Sequence, residues 1–132
     1  MTIELNHLIV PAHDKEESVR FYERIFGFKY EGPMGHFAPI KLPSQSLTLD
    51  FDNRESFQPA HYAFKVSEAE FDEIFGRIVN ADLVYGSEPW TLDDMQLNHW
   101  NGGRGVYFRD PNGHILELLT RDYTAEQMNR SD

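Results

Sequence analysis

His7, His61 and Glu117 are the residues whose types could do chemistry together. Two imidazoles and one carboxylate can hold a divalent cation and leave coordination positions open. A substrate with adjacent oxygens can fill those positions, and the metal then acts as a Lewis acid on a developing oxyanion. The donor set suits iron(II) and also accommodates manganese, nickel or zinc. The chain has no Cys, which excludes disulfides, thiolate ligands and Cys-rich zinc sites. His7 and His61 are 54 residues apart, and His61 and Glu117 are 56 apart. A lone His on a strand face is more often an ordinary core residue than a ligand. What separates these three from the other histidines is that each stands in a strand-like unit of a duplicated pattern.

The elements that must position them follow from that duplication. At an offset of 54 residues, His7-Leu8-Ile9-Val10 superposes on His61-Tyr62-Ala63-Phe64, Phe21 on Phe75 and Ile25 on Val79. An amphipathic segment follows each strand, from Asp14 to Phe26 and from Ser67 to Val79. Asp14 reads as an N-cap, with Glu16 and Glu17 at the positive end of the helix dipole. Val19, Tyr22 and Phe26 repeat on one helical face, and Gly27 stops the helix. Ser67 and Glu70 form a capping box ahead of the stripe Phe71, Ile74, Phe75, Ile78, and Asn80 reads as the stop. Short strands are expected near Phe28 to Glu31 and Asp82 to Tyr85, and closing strands at Leu47 to Phe51 and Ile115 to Thr120. The pattern is βαβββ twice, an α+β fold. Module one spans about residues 1–55 and module two about 58–122, in a single domain over 1–122. Residues 123–132 read as a polar tail.

Alternation assigns the faces. Leu5, His7 and Ile9 share one side of the first strand; His61, Ala63 and Lys65 share one side of the middle strand. Ile115, Glu117 and Leu119 share one side of the last. With helices on the other faces, these line a concavity. Asp110-Pro111-Asn112-Gly113 joins the last two strands as a hairpin turn. Residues 86–103 are irregular and rich in aromatic and turn residues, which marks a functional or disordered segment. Trp90, Trp100, Phe37 and Met95 are candidates to wall an apolar pocket.

The formal charge of −10, from 22 acidic and 12 basic residues, argues against nucleic-acid binding. No apolar run approaches the ~20 residues of a membrane span. Met1 to His7 lacks the pattern of a signal peptide, and a cytoplasmic location is expected.

Two stretches, His61-Tyr62-Ala63-Phe64 and Asp110-Pro111-Asn112-Gly113-His114-Ile115-Leu116-Glu117, resemble the vicinal oxygen chelate superfamily. So does the pattern of His7, Ser18, Phe21, Tyr22, Phe26, Gly27 and Phe28. That superfamily includes glyoxalase I, fosfomycin-resistance transferases, extradiol dioxygenases, methylmalonyl-CoA epimerase and bleomycin-resistance proteins. The resemblance covers about residues 3 to 121. It implies paired βαβββ modules forming an open, cup-shaped mixed sheet around one divalent metal ion. It also implies a homodimer whose sites are built from both subunits, with His7 supplied by a different chain than His61 and Glu117.

Within the superfamily, glyoxalase I-like enzymes place a Glu on the closing strand of the first module as a fourth ligand. Asp50 stands there in this chain, as a fourth ligand, a general base or a partner of a ligand His. Tyr107 matches the tyrosine that fosfomycin-resistance transferases use near the substrate. Their Lys- and Ser-bearing loop is not matched, because Leu97 to Gly105 carries Asn101, Gly102, Gly103 and Arg104 instead. Extradiol dioxygenases add a cup-facing His and Tyr, for which His36, His99 and Tyr107 are candidates. His99 would be a mobile acid, base or lid residue. Arg104 would reach an anionic group, and Trp100 and Asn101 would contact the substrate. The expected function is a divalent-metal-dependent enzyme. It acts on a small oxygen-bearing organic substrate by stabilising an enolate or oxyanion, in the manner of a glyoxalase, lyase or dioxygenase. The contrasting class is a non-catalytic binding or resistance protein of the bleomycin-resistance type.

Overall fold

The computed structural model describes residues 2–128. The chain divides into two compact units. Of the described residues, the first holds 2–59 and 110–113, and the second holds 60–109 and 114–128.

In the first unit, β1 (His7–Ala12) is followed by α1 (Lys15–Phe26), β2 (Ala38–Lys41) and β3 (Thr48–Asn53). The strand order is β1-β3-β2, with β1 parallel and β2 antiparallel to β3. The Asp14 carboxylate accepts from the backbone N–H groups of Glu16 and Glu17, satisfying donors that the first turn cannot. Gly27 ends the helix at φ 79°, a left-handed conformation that favours glycine. Val10, Ala12, Ala38, Ile40, Leu49 and Phe51 form the buried face of the sheet, and Val19, Tyr22 and Ile25 of α1 are buried with them. The strand expected at Phe28 to Glu31 is reduced to a single bridge between Tyr30 and Ile40. Gly32, at φ 107°, and Pro33 break the run there. The strand that forms instead, β2, contains Pro39, which an edge strand tolerates because its missing N–H costs no ladder bond.

Residues 110–113 are tied into the first unit by polar bonds to α1. Tyr22 OH donates to Asp110 Oδ2 at 2.8 Å. Asn112 Nδ2 donates to Ser18 Oγ at 3.0 Å, and Asn112 Oδ1 accepts from the His13 N–H at 2.9 Å. Ser18 and Tyr22 thus act as structural partners of the turn.

In the second unit, β4 (His61–Lys65) leads to α2 (Glu68–Asn80), β5 (Tyr85–Gly86), β6 (Gly105–Arg109), β7 (Ile115–Leu119) and α3 (Ala125–Met128). The order is β4-β7-β6-β5, with β4 parallel to β7 and the other pairs antiparallel. This is βαβββ, as the sequence predicts. Ser67 and Glu70 form the reciprocal capping box, and the helix closes at Ala81, one residue past Asn80. Phe71, Ile74 and Ile78 are buried, as are Val106, Phe108, Leu116 and Leu118 of the sheet. The run expected from Asp82 starts only at Tyr85, since Asp82 itself has φ 55°.

The stretch between β5 and β6 is ordered by its own side chains. Asp94 accepts from the Ser87 N–H at 3.0 Å, from the Ser87 hydroxyl, and from the Gln96 N–H at 3.0 Å. Asn98 Nδ2 donates to the Ser87 carbonyl at 2.9 Å. Gly86 permits the turn, because a Cβ there would stand 2.0 Å from the Thr91 carbonyl oxygen. Among the described residues, no helix is long and apolar enough to cross a membrane.

Candidate active site

The strand register of the second unit sets the site. Ala63, Glu117, Tyr107 and Gly86 are paired in a row across β4, β7, β6 and β5. Residues paired directly across strands share a face, and residues two apart on a strand share it too. His61 therefore lies on the same face as Glu117 and Tyr107. The opposite face, with Leu116, Leu118, Val106 and Phe108, is the buried one. The functional side chains are left toward a cavity of about 770 Å³. Its lining includes His61, Tyr107, Glu117, Tyr123, Trp90 and Trp100, joined by Glu88, Pro89, Asn101 and Met128.

His61 Nε2 and Glu117 Oε1 stand 3.0 Å apart. A carboxylate only accepts, so Nε2 carries the proton of that bond. Glu117 is 2% exposed, and a carboxylate buried so deeply needs its hydrogen-bond partners. The second partner is Tyr123, whose hydroxyl donates to Glu117 Oε2 in a short bond. Tyr107 OH lies 3.5 Å from Tyr123 OH, and its ring stands edge-on to His61 with centroids 5.8 Å apart. The Trp100 ring lies 6.2 Å from that of Tyr107 and 6.1 Å from that of Tyr123. Burial pushes the Tyr107 phenol far above its ordinary range, helped by its bond to Tyr123 and the negative charge of Glu117. Burial and then the bond to Glu117 push Tyr123 up to about 12. Both phenols therefore keep their protons at neutral pH and serve as donors.

The His61–Glu117 pair can be tested as half of a metal site. Ligand atoms about 2.1 Å from one ion and at right angles to each other are about 3.0 Å apart. The observed 3.0 Å separation is that of an ordinary hydrogen bond and is also compatible with two neighbouring octahedral positions, where an ion would replace the Nε2 proton. Among the described residues, no group of three or more His, Asp or Glu side chains is assembled that could hold a metal ion.

The remaining sequence candidates fall elsewhere. His7 is exposed on β1, with Nδ1 bonded to Asn6 Oδ1 at 2.7 Å. Asp50 is half-buried on β3, paired with Ile9, and shares the His7 face of the first unit. His36 bonds through Nδ1 to Asp52 at 3.1 Å, also in the first unit. His99 is exposed beside the 3-10 turn Trp100–Gly102 and is not among the cavity residues, while Trp100 and Asn101 are.

Arg104 corrects the expectation of an anion-binding residue. Its guanidinium bonds Glu68 at 2.8 Å and Asp72 at 2.7 Å on α2, and lies over the Phe71 ring at 4.4 Å. Those contacts commit it to the helix-covered face of the sheet. Of the other two pocket candidates, Met95 is exposed and Phe37 lies against His36 in the first unit. Sequence reasoning missed Tyr123, placed in a tail without a role. Its one signal is an aromatic residue just past the last strand in an otherwise polar stretch.

A protein-family model described as the Glyoxalase/Bleomycin resistance protein/Dioxygenase superfamily matches residues 4–118. The metallothiol transferase FosB of Lysinibacillus sphaericus (strain C3-41) is 30% identical over 126 residues, covering 91% of this chain and 84% of that protein. Among solved structures, the oxidase ChaP-H2 is 49% identical with a TM-score of 0.88, covering 93% of this chain and 97% of that one. The oxidase ChaP-H1 is 42% identical with a TM-score of 0.87, covering 94% and 100%.

Proposed function

The chain belongs to the glyoxalase/bleomycin resistance protein/dioxygenase superfamily, and from that membership we propose a divalent-metal-dependent oxidase acting on a small, uncharged, oxygen-bearing organic substrate. The observation that carries the proposal is the convergence of His61 Nε2 and Glu117 Oε1 on the floor of the cavity. His61 and Glu117 would hold the ion, with His7 of a second copy as third ligand. A bound divalent ion supplies a Lewis acid to substrate oxygens.

The chain's own residues do the rest. Tyr107, kept protonated by burial, would turn its hydroxyl from Tyr123 to donate to a substrate oxygen that gains negative charge. Trp90, Trp100, Tyr107 and Tyr123 present ring faces and edges suited to a flat apolar body. Among the described residues, no Lys or Arg lines the cavity, and Glu88 and Glu117 do. That lining favours a neutral enolisable or phenolic compound over a phosphonate or carboxylate. Two oxidases exceed 40% identity to this chain while the thiol transferase stands at 30%, which favours oxidation, with dioxygen as electron acceptor, over thiol transfer.

The test is metal uptake by the purified protein, followed by oxygen consumption with neutral phenols and enolisable ketones. The expected result is one ion per chain, with uptake weakened in His7→Ala, His61→Ala and Glu117→Ala and oxygen uptake lost on chelation. A wild-type protein that binds no manganese, iron, nickel or zinc would refute the metal assignment. Metal binding with thiol addition and no oxygen uptake would refute the oxidase assignment alone.

A further inference from the structure

The two oxygens of Glu117 have different partners. Oε1 faces His61 at 3.0 Å, while Oε2 takes the hydroxyl proton of Tyr123. The chain is built to bring Tyr123 there. Beyond β7, the Thr120 N–H donates to the Arg104 carbonyl at 3.1 Å, and Thr120 Oγ1 accepts from the Arg104 N–H at 2.9 Å. Gly103 leaves room for the next residues, since a Cβ there would stand 2.5 Å from Thr120 Oγ1 and 3.0 Å from Arg121 Cγ. Asp122 pairs with Lys65 at 3.2 Å. The Trp100 ring then stands edge-on to Tyr123.

A carboxylate whose oxygens are both free can grip a cation with one or with both. We infer that Tyr123 is a positioning residue that holds Glu117 to ligation through one oxygen, leaving a coordination position for substrate. The inference rests on the metal reading of His61 and Glu117 given above. Tyr123 touches neither the ion nor the substrate's reacting atoms in this role; it acts through Glu117. Groups that orient a metal ligand in this way contribute measurably to affinity.

The test uses Co²⁺ titrated into the metal-free full-length protein, with wild type and Tyr123→Phe compared. Phe keeps the ring against Trp100 and removes one oxygen, so the variant should fold but melt below wild type, and the Co²⁺ readouts are compared well below both transitions. The variant should bind Co²⁺ about 10- to 100-fold more weakly. Its visible Co²⁺ absorption should also differ, because the released carboxylate oxygen enters the coordination sphere. A purely structural role for Tyr123 would not move that absorption. Tyr30→Phe, which removes a phenol oxygen bonded to Glu16 in the first unit, should leave the Co²⁺ spectrum as in wild type. Equal affinity and an identical spectrum in Tyr123→Phe would overturn the inference and leave the metal reading standing. A wild type that takes up no Co²⁺ would overturn both.

Discussion

Single residues separate chemistry from scaffolding in this protein. Asn112 is buried, and its amide reaches Ser18, His13 and Asp110. Asn112→Ala would strand those groups, at a cost of about 2 kcal/mol. A urea midpoint lowered at unchanged slope is the expected reading; an unmoved midpoint would show that the turn relaxes without loss. That His61 and Glu117 share one sheet face was legible, because strand alternation and the repeat of the βα unit fix where such residues must stand. Arg104 was misread for the opposite reason. Its destination depends on α2 carboxylates 36 and 32 residues away, which no local pattern announces. Tyr123 was invisible because its partner, Glu117, is met only when the chain doubles back past the strand that carries it.

At the scale of elements, both long helices were readable, because capping side chains and apolar stripes are local signals that the structure leaves intact. The short strands were not. A bridge of one residue pair at Tyr30 and a strand through Pro39 depend on pairing partners rather than on their own composition. The stretch after β5 shows how an irregular sequence can still be ordered, with Asp94 as its hub. The Ser87 hydroxyl holds the Asp94 carboxyl below its ordinary value, with backbone N–H groups adding to the effect. A depressed folded value stabilises the loop above the unfolded pKa of about 3.9, and that contribution is lost as pH falls through the folded value. Amide-exchange protection of residues 87–96 should therefore fall on acidification in that window. In Asp94→Asn the protection should no longer depend on pH there; a wild-type loop equally protected on both sides of the window would contradict the role given to Asp94.

At the scale of the molecule, superfamily membership raises the question of which chain supplies which ligand. If His7 of one copy serves His61 and Glu117 of another, two defective proteins should repair each other. His7→Ala and Glu117→Ala, unfolded together and refolded as a mixture, would give hybrid dimers in half of the population. Each hybrid carries one intact site and one doubly damaged site. Metal capacity should recover to about a quarter of wild type. No recovery, with dimers confirmed by sedimentation, would place all ligands within one chain. The lining of the cavity also has an optical consequence. The chain contains two Trp, and Trp90 and Trp100 both border the cavity. The protein's whole indole emission thus originates at the rim of the cavity that holds the candidate ligand pair, so paramagnetic ions or flat ligands arriving there would quench it, and occupancy could be followed without a label.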